Sequence, residues 1–242
     1  MKSSYVDGEI TFREEISKNI FKIRVKGDFT CRPGQFFMLR AWDGPEPFLP
    51  RPISVSDVGP GEISFLYEVK GRGTRLMERL DLGESIRLLG PLGSGFEIKN
   101  RKRVALVSGG IGIAPLLYLA RELGSGVDLY AGFRDEAYYL DEFEDYVDEV
   151  HISTETGSQG HKGYVTEIIE PENYDLVIGC GPVPMMKELF KLCKGRVDLE
   201  ISMENNMGCG IGACMGCTVE TRDGMKRVCK EGPVFKAGEV FF

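Results

Sequence analysis

Near the end of the sequence, Cys209, Cys214 and Cys217 follow one another as C-x4-C-x2-C inside the run Met203-Glu-Asn-Asn-Met-Gly-Cys-Gly-Ile-Gly-Ala-Cys-Met-Gly-Cys217, and Cys229 follows after eleven intervening residues. This is the spacing by which four thiolates grip a [2Fe–2S] cluster in plant-type ferredoxins. The glycines between them let the backbone curl until its N–H groups point at the sulfurs. Two other uses of four cysteines compete. Structural zinc favours paired C-x2–4-C knuckles, whereas here the first gap is long and the last cysteine is solitary. Disulfides suit small secreted scaffolds, not a chain of 242 residues without a recognisable export signal. The eleven-residue gap is shorter than that of plant ferredoxins. It predicts a compact unit of about forty residues, too small to fold well without its iron.

Seven cysteines are an odd number. With four given to iron, Cys31, Cys180 and Cys193 are expected to be plain thiols in a reducing compartment. The formal net charge of −7 argues against nucleic acid or an anionic membrane as the main partner. Residues 1–9 lack the apolar core of a signal peptide, and no run approaches the ~18 apolar residues of a membrane span. The expectation is therefore a cytoplasmic protein. His151 and His161 stand singly among polar neighbours and are read as surface side chains.

From Tyr5 to Leu89 short β-rich runs alternate with turn signals: Gly8–Phe12, Ile20–Val25, Gln35–Arg40, Glu62–Val69 and Ser85–Leu89. Such spacing predicts an antiparallel barrel or sandwich over residues 1–98. Within it, Arg51-Pro52-Ile53-Ser54 reads as a tight loop whose flanking prolines, Pro50 and Pro52, hold a guanidinium and a hydroxyl in fixed geometry, which suits a diphosphate. Gly71-Arg-Gly73-Thr74 opens a short helix, with Thr74 as the expected N-cap and free N–H groups that attract phosphate.

The period changes after the charged linker 99–103. Val104–Val107 is a continuous apolar run of the kind buried on both faces of a parallel sheet, and Ser108-Gly109-Gly110-Ile-Gly112-Ile-Ala-Pro115 leads from it into a helix. Further strands are expected at 127–131, 149–153, 176–179 and 197–201, separated by helices at about 139–146, 163–170 and 183–193. Strand and helix alternating in this way is the doubly wound α/β pattern. The glycine turn sits where a pyrophosphate site belongs, although Pro115 replaces the third glycine of the strict motif. A second turn, Gly179-Cys180-Gly181-Pro182, lies at another strand end. After the 127–131 strand comes Gly132-Phe-Arg134-Asp135-Glu136, and the acid favours NAD while the arginine would accept the 2′-phosphate of NADP. The two signals leave the choice open.

The flavin barrel pattern of Arg51–Ser54 with Gly73-Thr74 resembles the ferredoxin reductase superfamily. The cysteine run, the closing Cys229-Lys-Glu-Gly-Pro-Val-Phe235 and Gly90-Pro-Leu-Gly93 narrow the resemblance to the electron-transfer subunit of type B dihydroorotate dehydrogenase. The resemblance implies an antiparallel FAD-binding barrel (1–98), a doubly wound NAD-binding domain (99–201) and a small C-terminal [2Fe–2S] domain (202–242). It implies FAD phosphates and ribityl chain at Arg51, Pro52, Ile53, Ser54, Gly73 and Thr74, with Leu66, Tyr67 and Glu68 along the flavin and Tyr67 a candidate to stack on it. NAD(H) is implied at Gly109, Gly110, Gly112, Gly181 and Pro182, with Cys180 beside the hydride path, and iron at Cys209, Cys214, Cys217 and Cys229. It further implies a catalytic FMN subunit as partner, commonly in a two-plus-two heterotetramer. There dihydroorotate is oxidised and electrons pass through the cluster and FAD to NAD+ in pyrimidine synthesis. A reductase subunit serving a hydrogenase, oxygenase or transhydrogenase is the alternative within the superfamily. A redox sensor or zinc-stabilised interaction module is the alternative outside it. No motif for acid–base chemistry on dihydroorotate is present, as expected of a subunit that handles electrons.

Overall fold

The computed structural model describes residues 4–98 and 101–242; the linker expected at 99–103 lies partly outside them. Six strands close an antiparallel barrel in the order β1-β2-β5-β4-β3-β6. They are β1 (Ser4–Ser17), β2 (Ile20–Lys26), β3 (Phe36–Arg40), β4 (Arg51–Gly59), β5 (Glu62–Glu68) and, after the helix α1 (Arg72–Glu78), β6 (Ser85–Leu92). Alternating apolar residues fill the barrel. Ile23, Val25, Phe37, Phe65 and Leu88 are fully buried, and the Phe37 and Phe65 rings meet edge to face at 5.9 Å. The loop expected at Arg51–Ser54 is instead the start of β4. Proline is tolerated there because residues 51–54 pair with β3 alone, and the β4–β5 ladder begins only at Val55.

The second half is a seven-stranded sheet, in the order β10-β9-β8-β7-β11-β12-β15. It is built from β7 (Val104–Gly109), α2 (Ala114–Leu123), β8 (Val127–Phe133), β9 (Glu149–Thr154), β10 (His161–Lys162), β11 (Leu176–Cys180), α3 (Val183–Cys193) and β12 (Asp198–Ser202). These strands run parallel, with β7 at the centre as a near-continuous buried apolar run. Two of the expected helices are not formed. Residues 139–146 and 163–170 hold only the 3-10 turns Asp141–Phe143 and Val165–Glu167. Tyr139 takes φ of 67° and Gly163 φ of 142°, outside the right-handed helix, and the segment after each is too short to nucleate one. No helix among the described residues is long and apolar enough to cross a membrane.

After β12 the chain enters the cysteine segment, which carries the two-stranded sheet β13 (Thr218–Thr221) and β14 (Gly224–Arg227). It then returns as β15 (Val234–Lys236), antiparallel to β12, and ends in α4 (Ala237–Val240). The segment is thus pinned at both ends to the parallel sheet. It is also packed on the barrel: Cys217, Val228 and Cys229 share one core with Phe36, Met38 and Leu92 of β3 and β6. The barrel and sheet are joined by α2, whose Tyr118 hydroxyl donates to the Cys31 carbonyl at 2.9 Å and whose Arg121 donates to the Val58 carbonyl at 2.7 Å.

Candidate functional site

Where β4 and β5 part, the barrel opens. Residues 51–54 stay with β3 while Leu66, Tyr67 and Glu68 stay with β2, so two sheet edges face each other across a slot and present unpaired backbone N–H and C=O groups. The resulting cavity of about 180 Å³ is lined by Pro52, Ile53, Ser54, Leu66, Tyr67 and Glu68. Two such edges, with apolar side chains between them, suit a planar heteroaromatic ring with hydrogen-bonding groups on its rim. The Tyr67 ring stacks on Phe21 at 6.1 Å, and its hydroxyl is buried without a hydrogen-bond partner.

Arg51 lies over α1. A Cβ built on Gly73 would stand 2.4 Å from Arg51 Nε, so the absence of a side chain at 73 is what lets the guanidinium settle on the helix start. Arg51 Nη1 donates to the Leu49 carbonyl at 2.7 Å. Thr74 is not the N-cap expected from the sequence; Gly71 occupies that position. The Thr74 hydroxyl, one turn in, accepts from the backbone N–H of Lys70 at 3.0 Å and of Gly71 at 3.1 Å, closing the helix start from inside.

A larger cavity, about 980 Å³, opens over the C-terminal ends of β7, β8, β9 and β11, where ligands bind in open α/β sheets. Gly109, Gly110 and Gly112 line it from the β7 turn, and Gly181 and Pro182 from the β11 turn. The two turns touch: a Cβ at Gly112 would sit 2.2 Å from the Cys180 carbonyl oxygen. Cys180 itself is 2% exposed and lies behind this wall, not on it. Burial pushes its thiol well above the ordinary range. The slot and the larger cavity share Glu68, Lys70, Ile111 and Glu204. Burial raises the Glu204 carboxyl; Lys70 opposes the shift and Glu68 adds to it.

The far wall of the slot is formed by Met203, Glu204, Asn205 and Met207. Cys209 is two residues beyond Met207, at most about 7 Å of extended chain. The four cysteines are free. Cys209 interacts with Cys214, and Cys217 with Cys229. Backbone N–H groups point at three of the sulfurs: Ala213 and Cys214 at Cys209 Sγ (3.3 and 3.4 Å), Gly216 at Cys214 Sγ (3.5 Å), and Cys229 at Cys217 Sγ (3.4 Å). Burial pushes the Cys209 thiol up, but these backbone donors outweigh it and bring it down to about 6. Burial and the neighbouring Cys217 thiol push Cys229 up to about 12.

Among the described residues no three or more His, Cys, Asp or Glu side chains gather around one ion position. A single tetrahedral zinc needs four convergent ligands. Two thiol pairs with N–H groups aimed at sulfur fit a two-iron cluster, in which each iron takes one pair. The first pair lies toward solvent, with Cys214 exposed, and the second is buried. Arg227 ties the loop down: its Nη1 donates to the Gly212 carbonyl at 2.9 Å while Nε and Nη2 form a two-pronged pair with Glu231.

The residues picked out from the sequence therefore fall into three adjoining places. Residues 52–54 and 66–68 line the slot, with Arg51 next along the chain and set against Gly73 at the start of α1; the glycine turns line the large cavity, and the cysteines follow the slot's far wall. Lys70, Ile111, Glu204, Met207, Glu155 and Tyr164 also line these cavities and were not singled out. Glu204 and Met207 sat inside the cysteine run, and only the strand parity of β12 and the chain's path after it place them at the slot.

Residues 204–241 match the family model described as the iron-sulfur cluster binding domain of dihydroorotate dehydrogenase B. The chain is similar to the electron transfer subunit of dihydroorotate dehydrogenase B (NAD(+)) from Clostridium acetobutylicum, with 49% identity covering 99% of this chain and 98% of the relative. With the corresponding subunit of Clostridium perfringens it shares 46% identity over the full length of both. Among solved structures, the NADH-dependent reduced ferredoxin-NADP oxidoreductase superposes with a TM-score of 0.87 at 29% identity, covering 96% of this chain and 89% of that one. With identity of this extent across its whole length, the chain belongs to the family of dihydroorotate dehydrogenase B electron transfer subunits.

Proposed function

We propose that this chain carries electrons between a catalytic subunit that oxidises dihydroorotate at FMN and NAD+, in the cytoplasm, as half of a two-plus-two heterotetramer. In this reading FAD sits in the slot, NAD(H) in the 980 Å³ cavity and a [2Fe–2S] cluster on Cys209, Cys214, Cys217 and Cys229. The functional divisions are 1–98, 99–201 and 202–242. The flavin supplies the conversion between a two-electron hydride and single electrons.

The chain's own residues do the holding. Arg51, seated on Gly73, offers a guanidinium fork to a diphosphate, and the open edges of β4 and β5 offer hydrogen bonds to a ring rim. The glycine turn after β7 offers backbone N–H groups to the dinucleotide's pyrophosphate. Met203–Met207 close the slot against water on the side of the thiols. Cys214, Ile211 and Met215, the last two 51% and 52% exposed, present the outer thiol pair to a partner. The observation that carries this reading is the contiguity of the three places: the cavities share Glu68, Lys70, Ile111 and Glu204, and the slot's other wall leads directly into Cys209.

The test is co-expression with an FMN-type dihydroorotate dehydrogenase. Dihydroorotate should then reduce NAD+ at a rate that the catalytic subunit alone does not reach, and light scattering should give the mass of two copies of each chain. Complex formation without NAD+ reduction would refute the electron route, and absence of a complex would refute the partner.

A further inference from the structure

The large cavity holds a dinucleotide in only one direction. Its β7 turn receives the pyrophosphate, and its end at Glu68, Lys70 and Glu204 opens into the slot, so the nicotinamide half must lie there. The adenosine half is left with the opposite end, over the tips of β8 and β9. We propose that Glu155, the residue directly after β9, selects NAD over NADP there, by accepting a hydrogen bond from the adenosine ribose and repelling a 2′-phosphate. This rests on the nucleotide reading of the cavity.

The sequence offered Asp135 and Glu136, after β8, as the acids to weigh against Arg134. Both face elsewhere. Asp135 accepts from Thr156 Oγ1 at 2.9 Å, Glu136 accepts from the Ser17 hydroxyl at 3.3 Å, and neither lines the cavity. Glu155 does line it. Phe133 and Thr154 are paired across β8 and β9, and the Glu155 N–H donates to the Phe133 carbonyl at 3.1 Å. Arg134 and Glu155 are therefore adjacent at the tips of neighbouring strands, held by the ladder itself. Glu167 also lines the cavity, with His161 Nε2 at 3.0 Å from its Oε2.

Arg134 alone would suit a 2′-phosphate. Its surroundings oppose that use. The lining carries five carboxylates (Glu68, Glu155, Glu167, Glu188 and Glu204) against two cations (Lys70 and Arg134), a formal excess of three negative charges. NAD and NADP share the pyrophosphate, so the discrimination falls on the extra phosphate dianion, and Glu155 is the cavity-lining acid set beside Arg134 across the β8–β9 ladder. A ribose diol, by contrast, donates to a carboxylate at no electrostatic cost.

The experiment uses the flavin- and cluster-loaded chain. Calorimetric affinity for 5′-AMP and for 2′,5′-ADP is measured beside kcat/KM for NADH and NADPH with ferricyanide as acceptor. The variants are Glu155→Gln, Glu155→Arg and, as a control on the cavity, Thr166→Trp, which projects a ring from its wall. Glu155→Gln should raise the ratio of 2′,5′-ADP to 5′-AMP affinity at least tenfold, Glu155→Arg should raise it further, and the NADPH-to-NADH ratio should follow through KM. Thr166→Trp should weaken both ligands alike. Unchanged ratios in both Glu155 variants, with Thr166→Trp still weakening both ligands, would overturn the role of Glu155 alone. If Thr166→Trp also leaves both ligands untouched while FAD content is normal, the cavity is not the nucleotide site and both readings fall.

Discussion

Replacing Gly73 by alanine separates flavin binding from folding. Gly73 lies in α1, so alanine fits the backbone and should stabilise the helix by up to about 1 kcal/mol. The added methyl would meet Arg51 Nε at 2.4 Å, Cζ at 2.8 Å and Cγ at 3.0 Å. Ordinary contacts begin near 3.5 Å, so the guanidinium must retreat by about 1 Å, beyond the tolerance of a charged hydrogen bond. Losing one such bond costs about 1.5–3 kcal/mol, or roughly tenfold to hundredfold in FAD affinity. The assay is a fluorescence titration of the deflavinated chain with FAD, beside its melting temperature without FAD. We expect the affinity to fall and the melting temperature to hold or rise by a few degrees. Because Gly73 acts through Arg51, the double variant Gly73→Ala/Arg51→Ala should bind FAD no worse than Arg51→Ala alone. Undiminished FAD affinity in Gly73→Ala, or additive losses in the double variant, would refute the role given to Arg51.

Three other outcomes are expected. Cys214→Ser should abolish the visible absorbance of the cluster while leaving FAD bound, because the thiols lie beyond the slot's wall; loss of both cofactors together would contradict that separation. Arg227→Ala, which frees the Gly212 carbonyl and leaves Glu231 without its partner, should speed iron loss to a chelator several-fold at unchanged FAD content, and unchanged iron release would show that the clamp is idle. Burial pushes Cys31 and Cys193 up to about 12 and Cys180 higher still, so less thiolate is present than in an ordinary cysteine at every neutral pH. Alkylation of the native chain, followed by mass spectrometry from pH 7 to 9, should leave all three unmodified, whereas rapid labelling at Cys180 would mean that it lines the cavity after all.

Much of this arrangement was legible in the sequence, because local rules produce it. Cysteine spacing reports the cluster loop, a buried β7 followed by glycines reports the βα turn, and period-2 runs report the barrel. The features that were not legible depend on contacts between distant segments. The prolines that made Arg51–Ser54 read as a loop are compatible with β4 only because β5 has turned away to β2 there. The same parting creates the slot, and nothing in either segment alone announces it. The turns at 141–143 and 165–167 replace expected helices because Tyr139 and Gly163 adopt backbone angles that apolar periodicity does not encode. Which acid lines the cavity beside Arg134 also depends on pairing between strands. Asp135 and Glu136 follow β8, as a Rossmann unit would have it, but the neighbouring strand tip delivers Glu155 to the cavity. The return of the C-terminal segment as β15, pairing three residues with β12, is too short a run to read from its sequence.

If one chain holds a flavin and a two-iron cluster close enough to exchange electrons, NADH alone must reduce both. Anaerobic addition of NADH to the purified holoprotein, followed by low-temperature electron paramagnetic resonance with parallel iron and acid-labile sulfide analysis, tests it most directly. Two irons and two sulfides per chain are expected, with bleaching of the flavin and a rhombic one-electron signal from the reduced cluster. Zinc in place of iron, or a bleached flavin with no paramagnetic cluster, would contradict it.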